Sequence, residues 1–248
     1  RLTLVFDFEM LQFKFTAEYF RALIQDIETH FPPPFMPVYV FSNLDKRRSI
    51  HRLGNDMCKA KLLHMLQLTI RGVPCMYNGE EIGMTNLKLP FASALDAIPH
   101  KYTFAPRFIF DALNVTVNRD EVRTPMQWNE TKNAGFSSAE KTWLPVHPDF
   151  AAINVEAQNK DTNSLLSTIR TLLNIRKDKK SLQEGALELL RDLPDGILGY
   201  GRIFEHEKII VLLNFKNHTQ RFPFPKARGS WETLFRLLQT DEIKNGTI

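Results

Sequence analysis

Cysteine is nearly absent: Cys58 and Cys75 are the two in 248 residues. That is too few for a disulfide scaffold in a chain this long, and neither has a second Cys or His at zinc spacing, so no metal is expected. Both sit on apolar segments and read as buried thiols in a reducing compartment, which makes a cytoplasmic location the expectation. No apolar run approaches the ~18 residues of a membrane helix, so a membrane segment in this chain is excluded. Charge of one sign is not in excess either. The 32 basic and 28 acidic residues give +4 but are interleaved, without a stripe or tail, so nucleic acid is not an expected partner. Internal repeats and low-complexity tracts are missing. So is an initiator Met: Arg1 leads straight into a strand, and the chain is expected to start inside a longer protein. Sequons at Asn114, Asn129, Asn217 and Asn245 are read as chance matches in a chain rich in asparagine and threonine.

What is present is ordinary globular composition, 43% hydrophobic and 24% charged, in a length that suits one large domain or one and a half. Leu2 to Phe8 is short and β-branched or aromatic. Phe15, Phe20, Leu23, Ile24, Ile27 and Phe31 follow at helical spacing, and Pro32-Pro33-Pro34 ends that helix. Val38 to Phe41 is a second strand, running into a polar loop from Asn43 to Asn55. Asp56 can cap a helix over Met57 to Ile70, Gly72 stops it, and Val73 to Tyr77 is a third strand. Strand and helix in alternation predict parallel β/α units whose loops after Phe8, Phe41 and Tyr77 share the carboxyl end of the sheet.

From Gly83 to about Asn163 the chain is irregular and too long for a connector, so it reads as a functional excursion over that end. A helix with the stripe Leu165, Leu166, Ile169, Leu172 and Leu173 follows, its basic end Arg176 to Lys180 suiting its own dipole. After Ser181 the period changes to two. Leu187 to Leu190, Ile197 to Phe204, Lys208 to Phe215 and Trp231 to Phe235 read as strands of a separate small β domain, with a hairpin at Glu205-His206-Glu207. Ile209 to Leu213, apolar on both faces, is the expected buried strand.

Two segments carry chemistry. Asn43-Leu44-Asp45 sets a carboxylate just past a strand, where it is either a turn cap or a catalytic group. Arg119-Asp120-Glu121-Val122-Arg123, running into Pro125-Met126-Gln127-Trp128, places two arginines four apart near an indole. That set suits sugar hydroxyls and rings, or a solvated salt bridge.

These residues resemble a family, the α-amylase superfamily of glycoside hydrolases (family 13), and within it the α-glucosidase and oligo-1,6-glucosidase group. Phe41 to Asp45 is similar to that family's Asn-His-Asp motif after barrel strand seven, followed by Arg48 and Arg52-Leu53-Gly54-Asn55-Asp56. Gly72-Val73-Pro74 through Gly79 to Met84 looks like its strand eight and the turn beyond. Arg123 to Trp128, Asn133 to Ser137 and Trp143 to Val146 look like the segment that sets the α-glucosidase group apart. The implied fold is α/β: the carboxyl-terminal part of a (β/α)8 TIM barrel, about strands 6–8 with their helices, over residues 1–182, then a small all-β sandwich over 183–248.

The implied activity is retaining hydrolysis of terminal α-linked glucosyl residues of malto- or isomalto-oligosaccharides, with no cofactor. Two carboxylates about 5 Å apart do the covalent work in such enzymes. Asp45 matches a third carboxylate, which helps stabilise the transition state, and Arg119 and Arg123 match arginines that line the sugar subsites. Glu80 and Glu81 match a family motif too and are read as structural. The nucleophile and the acid/base are expected on an amino-terminal barrel half that precedes Arg1, so this stretch alone is expected to be inactive. Leu44 stands in place of the family's His, and Asn78 in place of a Tyr that many members carry. These departures keep two alternatives open: a non-catalytic partner subunit of the transporter heavy-chain type, and a sucrose- or trehalose-type transglycosylase.

Overall fold

The structure is a computed structural model and describes residues 4–113, 115–221 and 231–237. Two compact units emerge, each assembled from separated stretches of chain. One comprises residues 1–39, 61–74 and 170–248, the other 40–60 and 75–169.

In the first unit, β1 (Leu4–Asp7) pairs in parallel with β2 (Met36–Val40), from Leu4 opposite Met36 to Asp7 opposite Tyr39, and β3 (Val73–Cys75) completes the order β1-β2-β3. Parallel strands need a crossover, and α1 (Ala17–His30) supplies it. Thr16 caps α1 by accepting the Tyr19 N–H at 3.2 Å, and Phe20, Leu23, Ile24 and Ile27, spaced for one face, are all buried. The second crossover is α3 (Met57–Thr69), which begins where the Asp56 carboxylate accepts the amides of Cys58 and Lys59. β3 is shorter than the apolar run Val73 to Tyr77, ending at Cys75. Cys58, in the first turn of α3, is exposed and Cys75 half-buried, so the expectation of two buried thiols is corrected; the opening turn of α3 faces that thiol outward.

A second, antiparallel sheet has the order β4-β5-β6, from β4 (Ala186–Leu189), β5 (Ile197–Phe204) and β6 (Glu207–Asn214). Phe204 pairs with Glu207 across a two-residue turn in which Glu205 takes a left-handed φ of 51°. Burial peaks on β5, from Ile197 to Arg202, and not on β6, where Val211 and Leu213 alone are fully covered. Gly199 is the reason: with no Cβ, it lets Leu190 and Leu193 settle onto the strand. Arg21 of α1 donates to the carbonyls of Leu190 and Ile197 at 3.0 and 2.6 Å, and Phe215 packs on Phe15 and Phe20, so α1 is held to this sheet. The run Trp231 to Phe235 is not a strand; residues 231–237 have no regular structure. The proposed sequons at Asn114 and Asn245 lie outside the described residues.

The helix α6 (Leu165–Asp178) and the short α7 (Lys180–Gln183) lead into β4. Arg176 stands in the last turn of α6, where a basic residue suits the helix dipole. Its guanidinium also donates to the carbonyls of Leu68, Ile70 and Gly72 at 2.8, 3.3 and 2.6 Å, closing the carboxyl end of α3. Arg202, fully buried, adds bonds to the Thr69 and Gly185 carbonyls, while Arg71 reaches those of Phe31 and Phe35 as well as the Glu28 carboxylate.

The second unit has little regular structure. It holds α2 (Ser49–Arg52), which falls inside the loop expected from Asn43 to Asn55, and α4 (Arg107–Ala112) and α5 (Val155–Lys160), which fall inside the long excursion with several 3-10 turns. Its core joins Ile82, Met84, Met126 and Leu166, with Val155 against them. Gly79 and Gly83, both left-handed, bracket the turn that brings Ile82 and Met84 into this core. Gln158 then bridges the layers, donating to Ile82 O at 2.7 Å and accepting the Leu166 amide at 3.1 Å.

Candidate active site

Asp45 follows β2 by five residues, and the turn that holds it is built by its neighbour. The Asn43 side-chain oxygen accepts the amides of Asp45 and Lys46, both at 2.9 Å. The turn cap is therefore Asn43, which frees the Asp45 carboxylate for other bonds; that side chain is 48% exposed. Its Oδ1 accepts from Arg123 at 2.9 Å and from Arg119 at 3.3 Å. Arg123 also donates through Nε to the Leu44 carbonyl at 2.9 Å, so it holds backbone and carboxylate of the same turn. The structure thus brings Asp45, Arg119 and Arg123 to one place.

Arg119 is oriented from behind by a residue that no sequence motif singles out. Asp96, with its side chain 2% exposed, accepts Arg119 Nε at 2.6 Å and a terminal nitrogen at 2.8 Å, a two-pronged pair. This bond from Arg119 holds the Asp96 carboxyl well below the usual carboxylate range, against the effect of burial. The reciprocal bond from Asp96 raises the Arg119 guanidinium above its ordinary value. Asp96 is itself located by Asp120, whose carboxylate accepts the amides of Leu95 and Asp96 at 2.6 and 3.0 Å. Arg119 and Asp120 open one 3-10 turn, Arg119–Val122, capped by Asn118, which accepts the Asp120 amide. One turn therefore aims an arginine outward and anchors the loop beneath it.

Below this lies a second layer. Glu80 is buried and accepts from the hydroxyls of Ser42 and Ser49 at 2.8 and 2.6 Å and from the Tyr77 amide at 3.0 Å, so its lone pairs are committed to the frame. Burial pushes the Glu81 carboxyl up. Arg48, which the sequence marked only as a motif position, is 1% exposed and packs its guanidinium over the Tyr77 ring, 5.0 Å from the centroid. Leu44, at 51% exposure, offers a sugar no donor. A nearby cleft of 480 Å³ is walled by Lys88, Leu89, Phe91, Thr103 and Arg107 and does not include Asp45. Among the described residues no group of three His, Cys, Asp or Glu side chains could hold a metal ion, and no helix is long and apolar enough to cross a membrane.

A carboxylate just past a parallel strand, flanked by fixed guanidinium groups, lies at the end of the sheet where β/α folds carry their functional groups. Residues 5–185 match the model of the alpha-amylase catalytic domain, and the chain belongs to that family. It is 32% identical over 218 residues to an oligo-1,6-glucosidase of Halalkalibacterium halodurans, covering 84% of this chain and 39% of that protein. A probable oligo-1,6-glucosidase 2 of Bacillus subtilis is 35% identical over 204 residues, 75% of this chain and 35% of that one. Among solved structures, isomaltulose synthase from Klebsiella sp. LX3 superposes with a TM-score of 0.81 at 25% identity, over 100% of this chain and 49% of that one. A MutB variant in complex with glucose gives 0.84 at 26%, over 100% and 48%. The chain thus spans between a third and half of the length of these relatives, and its fold is that of part of an alpha-amylase-type barrel.

Proposed function

We propose that the face carrying Asp45, Arg119 and Arg123 is the glucose-binding part of an α-glucosidase-type site for terminal α-linked glucosyl residues of malto- or isomalto-oligosaccharides. The observation that carries this reading is the shared Asp45 Oδ1: two guanidinium groups grip one oxygen of a carboxylate that still faces water. Such a carboxylate accepts sugar hydroxyls in fixed directions and stabilises positive charge that develops at an anomeric carbon. Similarity to oligo-1,6-glucosidases supports the substrate class.

Retaining chemistry needs two further carboxylates about 5 Å apart and open to the sugar. Asp96, the carboxylate tied through Arg119 into this network, is buried and doubly bonded, so it does not fill that role. By its resemblance to the family, this reading assigns the nucleophile and acid/base to a barrel half outside these 248 residues, so that the chain by itself binds without turnover. In the same reading residues 1–182 belong to the barrel and 183–248 to a β-sandwich of which β4 to β6 are the first strands. A second reading, a non-catalytic binding subunit, is favoured by exposed Leu44, which offers no donor where the family has His.

Calorimetric titration with isomaltose and maltose, beside an aryl α-glucoside assay, tests the proposal. Binding of at least one disaccharide, lost in Asp45→Ala, with no hydrolysis, is the expected result. Absence of binding by the folded chain overturns it.

A further inference from the structure

We infer that Arg48 is a positioning residue that sets Arg123 against Asp45, an inference that rests on the sugar-binding reading above for its consequence but not for its geometry. The Arg48 guanidinium donates one terminal nitrogen to the Asn78 carbonyl at 2.5 Å and the other to the Val122 carbonyl at 2.8 Å. Val122 is the residue before Arg123, and its carbonyl also accepts the Tyr77 hydroxyl at 3.2 Å. At its own backbone, the Arg48 amide donates to Asn86 Oδ1 at 3.0 Å. Four segments thus meet on one residue, two of them through its side chain: the turn that carries Asp45, the chain just past β3, the loop at Asn86, and the turn that carries Arg119 and Arg123.

The kind of partner matters as much as the number. Among the described residues no carboxylate forms an ion pair with Arg48 and its Nε has no hydrogen-bond acceptor, although the charges of Glu80 and Glu81 and the Tyr77 ring favour its cation against the burial that disfavours it. A buried cation satisfied only by carbonyls and a ring face is a poor way to fill space, since an apolar side chain of similar volume avoids the desolvation cost. A planar fork is, in contrast, well suited to fixing two carbonyls from two segments at one separation, which a lysine ammonium cannot do. Because Arg48 stands three residues past Asp45, the same fork holds Val122, and with it Arg123, against the turn whose Leu44 O and Asp45 Oδ1 Arg123 reaches, both at 2.9 Å.

The test compares the full chain with Arg48→Met and Arg48→Lys, and with Arg202→Lys as a control that alters a buried arginine of the other unit. Side-chain NMR follows hydrogen exchange at the Arg123 Nε–H, the proton donated to Leu44, and isomaltose affinity is measured at a temperature where every variant is folded. The expected result is Nε–H exchange about 10-fold faster and affinity about 10-fold weaker in both Arg48 variants, with neither changed in Arg202→Lys. Unchanged exchange at Arg123 in a destabilised Arg48→Met would make Arg48 a packing residue and overturn the inference. Should the unsubstituted chain bind no isomaltose, the sugar reading fails, while the exchange measurement still decides the role of Arg48. If Arg48→Met does not fold, Arg48→Lys carries the same comparison.

Discussion

Two sets of arginines divide the molecule. In the first unit Arg176, half-buried, and Arg202, fully buried, donate to the carbonyls that end α3. In the second unit Arg119 and Arg123 converge on a carboxylate that is half in water. The residue type is the same and the partners differ, and the partners decide the use. A guanidinium on buried carbonyls completes a helix end that would otherwise leave acceptors unpaired. A guanidinium on a half-exposed carboxylate contributes little to stability, since solvent screens the pair, and so is free to be retained for what it can bind.

The largest effect on that contrast is expected from Arg123→Ala. Affinity for isomaltose should fall about 100-fold, since a charge-assisted donor to the sugar-binding carboxylate is lost, while the melting transition moves by less than about 1 kcal/mol. A large loss of stability with affinity intact would erase the distinction. Arg202→Met should do the reverse. Two buried carbonyls lose their donor, for about 2 kcal/mol by denaturant unfolding, with isomaltose affinity unchanged.

A smaller and pH-dependent effect is expected at Asp96. Its folded-state pKa is depressed by Arg119, so its unfolded state binds the proton more readily. The stability that it contributes is complete above the unfolded value near 4 and is lost as pH falls below that. Thermal melts of the unsubstituted chain and of Asp96→Asn should differ most near pH 6 and converge toward pH 2; a constant gap would show that the Arg119 pair is not its source. The smallest effect is expected for Leu44→His. At an exposed position stability should stay within about 0.5 kcal/mol, and one added donor should tighten isomaltose binding about fivefold by calorimetry.

The residues legible in the sequence were those whose partners are local or whose motif is contiguous. Asp56 caps a helix through amides no more than three residues away, the α1 stripe declares its own face, and Asp45, Arg119 and Arg123 stand in recognisable strings. Asp96 was not legible because its partner lies 23 residues away across an irregular loop, where nothing distinguishes one aspartate from another. Arg48 hid for a related reason: a basic residue in a polar loop reads as solvent-facing until the carbonyls of Asn78 and Val122 are seen to surround it. The place of Arg176 at the basic end of α6 is legible, but its bonds to three carbonyls at the end of α3 are not, since those partners are far off in sequence. The glycines of β5 weakened the apolar signature of the most buried strand, while Trp231 to Phe235 has the composition of a strand without forming one.

The interleaving of the two units has a consequence for how the chain can be cut or recombined. Following the backbone, membership changes after residues 39, 60, 74 and 169, and both α3 and α6 begin in one unit and finish in the other. No single scission releases either unit whole, and no single uninterrupted stretch of gene encodes one. A break in the exposed loop near Phe104 would leave two pieces of the second unit that still share the Arg119–Asp96 pair and the bond from Arg107 to the Leu89 carbonyl. Inheritance of such a piece is therefore all or none: recombination that divided it at any of the four crossings would part residues that fold together.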